Sequence, residues 1–154
     1  MRLRLILAAA AAATLVGGVV AGIVLLLADD AHSTTRAEYV ARVNAVCRVY
    51  NAKLNRIPAP VALGNPRAVA QSIGQALPLV VERAEKVRAI EPPDALAPQV
   101  RSMFALSDRA TRALNDAYRL SRANKILEGS TALGRFLAFS DRAKQVATKI
   151  GLSC

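Results

Sequence analysis

The side chains with which this chain could do chemistry are few: one histidine, two cysteines and eleven carboxylates in 154 residues. His32 has no nucleophile or second base at a spacing that would serve acid–base or covalent catalysis. A di-iron helical bundle needs paired Glu-x-x-His motifs, which a single histidine excludes. The densest group of glycines, Gly17, Gly18 and Gly22, lies in an apolar run and forms no phosphate-binding loop. The sequence therefore predicts a protein that is not an enzyme and has no metal site and no cofactor.

Residues 5–28 form that apolar run, which contains no charged side chain. As a helix it would span about 36 Å, more than the ~30 Å hydrocarbon core of a bilayer. The alternative is a signal peptide, but its apolar region usually has only about 7–15 residues, and no small-residue cleavage site is evident here. We expect this segment to be an uncleaved single-pass transmembrane anchor, preceded by a cytoplasmic N-terminus at residues 1–4. If the segment is cleaved, the protein is secreted. Gly18 and Gly22 form a G-x-x-x-G pair that suits a weak helix dimer.

The orientation of this anchor follows from charges and cysteines. Arg2 and Arg4 precede the run and two aspartates follow it, which suits a cytoplasmic N-terminus, although Lys and Arg alone are nearly balanced across it. Both cysteines follow the run, and an oxidising exterior would favour their pairing. We therefore expect the C-terminal domain to lie outside the cell.

Four stretches after the anchor repeat apolar residues at helical spacing, and none shows the alternation of a half-buried strand. Short connections between them predict antiparallel neighbours. The expected fold class is all-α, an N-terminal transmembrane helix followed by an up-down antiparallel four-helix bundle closed by one disulfide. The start and stop signals are Thr35 with Glu38, Pro58, Asn65 with Pro66, Glu91 to Pro93, Asp94, Asn124, Ser130 or Thr131, and Gly151.

Cys47 lies on the apolar stripe of the first of these helices, and Cys154 is the last residue. A bridge between them would close a loop of about 107 residues, which stabilises by roughly 4–5 kcal/mol in the chain-entropy model. The alternative is two unpaired thiols, with Cys47 a small core residue. In an up-down bundle the last helix ends beside the start of the first, yet Cys47 is about 18 Å along that helix from Thr35. The pairing therefore predicts that residues 29–44 form a juxtamembrane stalk with the start of the first bundle helix, and that residues 45–154 form the bundle.

Three short motifs accompany this plan: N-A-V-C (Asn44 to Cys47), I-E-P-P (Ile90 to Pro93) and A-x-x-I-G-L-S-C (Ala147 to Cys154). With them the chain resembles a group of uncharacterised actinobacterial secreted or membrane-anchored small helical proteins, many of them lipoprotein-like. The resemblance covers nearly all of the extracytoplasmic region. It implies a paired Cys47 and Cys154 and an outside location, but no activity. Many such proteins carry a lipid-accepting cysteine after the signal, and this chain has none.

The formal net charge of +10 raises the question of an acidic partner. In a cytoplasmic protein it would suggest nucleic acid, but the basic residues do not alternate with aromatic ones, and the expected anchor places them outside the cell. We expect that the protein does not bind nucleic acid and that its partner is an envelope protein, anionic lipid or wall polymer. A generic basic surface is the alternative. The candidate contacts are Arg36, Arg42, Arg48, Lys53 and Arg56 on the first helix.

The leading hypothesis is therefore an extracytoplasmic helical module, tethered to the membrane, that binds an envelope partner without catalysis. The alternative is a small-molecule or lipid carrier, in which Pro78 kinks the second helix and opens a cavity. A pocket of several hundred Å³ beside Pro78 would favour the carrier, since ligand sites usually have that size. The residues that would line it, and would otherwise be simple core, are Leu77, Val81, Met103, Phe104 and Phe136.

Overall fold

Four α-helices account for most of the residues that the structure, a computed structural model, describes; these residues are 34–59 and 64–154. The described part contains no strand and is a helical bundle, as the sequence predicts. None of its helices is both long enough and apolar enough to cross a bilayer. The predicted anchor, its glycine pair and His32 lie outside the described residues. The helices are α1 (Arg36–Leu54), α2 (Pro66–Arg88), α3 (Ala97–Arg122) and α4 (Ile126–Lys149), with a 3₁₀ turn at Asp94–Leu96.

The first two helices begin at the predicted residues because side chains there satisfy the free backbone amides. The Thr35 backbone amide donates to Oε2 of Glu38 (2.9 Å), and the Glu38 amide donates to Oγ1 of Thr35 (3.3 Å). This is the predicted capping box. Oδ1 of Asn65 accepts from the amides two and three residues further on, at 3.1 and 3.2 Å. Pro78 lies inside α2, which continues beyond it for ten residues to Arg88.

The last two helices end at a residue in the left-handed region, Asn124 with φ 59° and Gly151 with φ 91°. After each, a backbone amide donates to a carbonyl five residues earlier at 2.9 Å, from Lys125 to Leu120 and from Leu152 to Ala147. This bonding satisfies carbonyls that the helix end leaves free. Leu152 is buried in the same apolar cluster as Ala147 of the last helix turn, which agrees with the hydrophobic contact predicted to accompany Gly151.

The start of α4 differs from the prediction. The sequence predicts a loop up to Ser130 or Thr131, whereas α4 begins at Ile126 with no side-chain cap. The turn at Asn124 is so tight that the Gly129 amide already donates to the Lys125 carbonyl (2.9 Å). Backbone geometry rather than a capping side chain therefore begins this helix.

Two clusters of buried apolar side chains form the core. The first joins α1 to the end of α2, the start of α3 and the end of α4, and consists of Tyr39, Val43, Cys47, Val87, Ile90, Leu96, Val100, Met103, Ala147, Ile150 and Leu152. The second joins the start of α2, the end of α3 and the start of α4, and consists of Val69, Ile73, Leu114, Ala117 and Ala132. Both lie within Thr34–Cys154, a unit of the chain by itself. Because its clusters and both cysteines are internal, this unit has the complete core that an independently folding domain needs.

The first cluster corrects the predicted stalk. Tyr39 and Val43 fall in residues 29–44, which should project from the bundle, yet both are 0 % exposed. Both are core residues of the first cluster, packed with residues from the other three helices. The bundle therefore includes the first turns of α1, and the boundary at residue 45 is wrong.

The path of the C-terminal tail explains the correction. Gly151 lies beside Val40: a Cβ atom added to Gly151 would lie 3.7 Å from both methyl groups of the Val40 side chain. From there the last three residues run along α1 to Cys47, a reach of about 10 Å in extended conformation. The seven residues from Val40 to Cys47 advance the helix by about the same distance. The tail, not a stalk, thus makes up the offset between the two cysteines.

Candidate functional site

The Cys47–Cys154 disulfide is present, with 5.1 Å between the two Cα atoms, and there is no free cysteine. The side chain of Asn44 fixes the same tail. Its Nδ2 donates to the Gly151 carbonyl (3.3 Å), and its Oδ1 accepts from the Ser153 amide (2.8 Å). The C-terminus is therefore held on α1 by one covalent bond and two hydrogen bonds.

Four of the five candidate basic residues lie on α1 and Arg56 lies in the turn after it; all five are exposed, but they do not form one surface. At about 100° per residue, Arg42 and Lys53 fall within an arc of about 20° on α1, whereas Arg36 and Arg48 point elsewhere. The Lys53 ammonium also lies 4.7 Å from the centre of the Tyr50 ring. We group these two residues with Arg56, in the turn after the helix, as a basic arc, which we define as Arg42, Lys53 and Arg56.

A pocket of about 230 Å³ is bounded by α2, α3, α4 and the disulfide. Three of the five predicted cavity residues line it, namely Met103, Phe104 and Phe136. Leu77 and Val81 do not, and Val81 is 38 % exposed.

The α2 wall of this pocket is formed by Val80, Arg83, Ala84 and Val87, so the pocket lies towards the C-terminal end of α2 from Pro78. The position predicted beside Pro78 is therefore not where the pocket is. Alanines on all three helices line it, and their short side chains leave room between packed helices. Facing alanines are the sequence signal that could have located it.

A partly buried cation, Arg83, lies in the pocket wall, and sequence reasoning missed it. Arg83 is partly buried, and its Nη1 donates to Oδ1 of Asn51 (3.1 Å). Burial lowers the pKa of Arg83 from its usual value, yet a guanidinium stays charged in proteins. Among residues 34–59 and 64–154, no carboxylate forms an ion pair with it. The other charged groups of the lining, Asp141 and Lys144, are exposed.

A second unpredicted feature is an apolar groove of about 240 Å³ at the turn between α3 and α4. Ile126 and Leu137 line it and are 50 % and 55 % exposed, and the neighbouring Leu127 is 78 % exposed. The sequence predicts a loop at Glu128–Ser130 and no helix over Ile126 and Leu127, so this surface was not predicted.

In the part of the chain that the structure describes, no three His, Cys, Asp or Glu side chains come together as a metal site would require. Comparisons with protein-family models, with curated proteins and with solved structures found no match to this chain. The disulfide, the basic arc and the pocket are thus the features that bear on function.

Proposed function

We propose that the chain is a non-enzymatic helical binding module outside the cell membrane, tethered by residues 5–28, that binds an envelope protein, anionic lipid or wall polymer. The observation that carries this proposal is the disulfide between Cys47 and Cys154. Structural disulfides persist in oxidising compartments outside the cytosol and are rare within it. An up-down antiparallel order of the helices is part of the proposal. The two core clusters support it. The first joins the start of α1 to the end of α2, and the second joins the start of α2 to the end of α3, as expected for antiparallel neighbours.

The basic arc supports an anionic partner. Its three side chains are exposed, and in the described residues none of them is in an ion pair. A Lys or Arg held close to an anionic membrane contributes about 1 kcal/mol of attraction. The arc could thus contribute about 3 kcal/mol, which salt would screen.

The location is tested by intact-mass spectrometry of the full chain extracted from membranes of its own host. We expect an uncleaved N-terminus and a mass two hydrogens below that of the reduced chain. In a separate experiment, protease added to intact cells should digest the bundle. A reduced protein that external protease does not reach would overturn the proposal.

The partner is tested with the unit Thr34–Cys154, which has its own core, by co-sedimentation with anionic vesicles and with wall polymer. Replacing the whole basic arc by glutamine should weaken binding more than the same change at three other exposed arginines. Equal losses in the two variants would show that only total charge matters. The matched control residues, all exposed, are Arg101, Arg112 and Arg142.

The pocket favours a second candidate function, carriage of a small molecule. Its volume of about 230 Å³ is below the several hundred Å³ usual for ligand sites, but it exceeds the roughly 150 Å³ of an apolar cavity that holds benzene. Scaled from that cavity, it has room for roughly nine non-hydrogen atoms. This is too few for a membrane lipid, so a carrier of this kind takes a short ligand. Titration of the Thr34–Cys154 unit with short-chain compounds, followed by amide chemical shifts, tests the candidate.

A further inference from the structure

We propose that the pocket selects small organic anions, with the Arg83 guanidinium pairing a carboxylate whose short apolar body lies between Phe104 and Phe136. This inference rests on the second candidate function, carriage of a small molecule, and it names the chemical class of the ligand. The apolar groove at the α3–α4 turn carries no comparable inference, because nothing in the structure shows what covers it.

The position of Arg83 carries the argument. A cation taken partly out of water is destabilised unless an anion or several acceptors compensate it. Asn51 supplies one neutral acceptor for Arg83, and no carboxylate pairs with it within the described ranges. A guanidinium has five N–H donors in a planar fork that matches a carboxylate. Asn51 accepts from one of these donors, so the others can pair with the carboxylate of a ligand.

The rest of the lining suits an apolar body. Met103 is buried, and the rings of Phe104 and Phe136 are partly buried in the wall. The Phe104 ring is held from outside by Arg88, whose guanidinium carbon lies 4.9 Å from the ring centre and which pairs with Asp108. An apolar chain in this space would lose contact with water, which is favourable in proportion to the area buried.

Two other charges at the pocket oppose each other. Asp141 disfavours an anion and Lys144 favours one, and both lie on α4. Because both are exposed, water and salt screen them more than they screen Arg83. The least solvated charge therefore determines the preference, and that charge is positive.

The α1 side of the pocket is formed by the disulfide, since both Cys47 and Cys154 line it. The bond and the Asn44 hydrogen bonds fix this wall in the absence of a ligand. A wall that needs no rearrangement reduces the entropy lost on binding.

The test compares three probes of one length on the Thr34–Cys154 unit: heptanoate, 1-heptanol and heptylamine. Binding is followed by amide chemical shifts around Phe104 and Phe136 at pH 7. We expect heptanoate to bind at least tenfold more tightly than the alcohol and the amine more weakly still. This comparison needs no variant, so it stands even where a substitution harms folding.

Variants then assign the preference to one residue. Arg83→Gln should lower heptanoate affinity at least tenfold and leave heptanol affinity unchanged, whereas Arg83→Lys should retain part of the preference. Asp141→Asn should raise heptanoate affinity severalfold. Arg109→Gln is the matched control, an exposed arginine outside the pocket lining, and should change nothing.

The outcomes separate the inference from the function on which it rests. Equal affinity for heptanoate and heptanol, or an Arg83→Gln variant that keeps the preference, would overturn the inference and leave carriage standing. No shift with any probe at millimolar concentration would overturn carriage and the inference together.

Discussion

Reduction of the Cys47–Cys154 bond should remove much of the stability of this bundle. The two cysteines are 107 residues apart in sequence, so the bond closes almost the entire described chain into one loop. In the chain-entropy model such a loop lowers the entropy of the unfolded chain enough to stabilise the fold by about 5 kcal/mol at 25 °C. Since domains are typically stable by about 5–15 kcal/mol, a loss of about 5 kcal/mol is a third or more of the stability of a typical domain.

The noncovalent contacts of the tail do not replace this contribution. The two Asn44 hydrogen bonds and the buried Leu152 side chain exist only in the folded state. They lower the energy of the native bundle, whereas the disulfide chiefly restricts the unfolded ensemble. We therefore expect the native helix content to survive reduction in the absence of denaturant, with a much lower free energy of unfolding.

Urea unfolding of the Thr34–Cys154 unit, followed by far-ultraviolet circular dichroism with and without a reductant, measures the effect. With a urea dependence of about 1–3 kcal/mol/M, a loss of about 5 kcal/mol should lower the transition midpoint by about 2–5 M on reduction. The double variant Cys47→Ala/Cys154→Ala controls for effects of the reductant. A loss below about 1 kcal/mol would refute the chain-entropy reasoning for this fold.

The other predictions concern single side chains. Tyr39→Phe should raise stability by up to about 1 kcal/mol, because the buried Tyr39 hydroxyl has no hydrogen-bond partner in the described residues. A lower melting temperature of this variant would show that the hydroxyl does have a hydrogen-bond partner. Asn44→Ala should lower stability by about 1–3 kcal/mol and speed hydrogen exchange in the C-terminal tail, whereas unchanged exchange would show that the disulfide alone holds it. Gly134→Ala should stabilise α4 by about 0.5–1 kcal/mol, since nothing lies within 4 Å of its Cβ position. Gly129→Ala should gain less or destabilise, because its Cβ would lie 3.2 Å from Oγ of Ser121, and equal melting temperatures for the two alanine variants would contradict this.

The parts of the fold that could be predicted are those determined within a few residues. Thr35, Asn65 and Gly151 each act on backbone groups close in sequence, so the sequence contains everything that sets these helix ends. The start of α4 follows instead from a left-handed Asn124 and has no side-chain signal. A search for capping residues therefore selected Ser130 or Thr131 and missed the first turn.

The candidate site could be predicted only in part, for a related reason. Met103, Phe104 and Phe136 line a pocket because the residues that face them on other helices include alanines, whose short side chains leave space. A single sequence does not show which residues face each other. Arg83 becomes a wall residue only because α2 packs beside α3 and α4. By contrast, helical periodicity alone separates Arg36 and Arg48 from the basic arc, so this division was available from the sequence.

The stalk prediction was wrong although the disulfide from which it was inferred is correct. The pairing of Cys47 with Cys154 is correct, and so is the distance of about 18 Å from Thr35 to Cys47 along the helix. Gly151 was correctly predicted to end the last helix, which stops before it. The faulty step neglected the length of the three residues after Gly151, which run back along α1 to Cys47. Because the returning tail ends at the pocket wall, the residues that close the bundle also shape its candidate binding site. The tail that follows Gly151 is therefore held along α1 by Asn44 and Cys47, and it places Cys154 in the pocket wall.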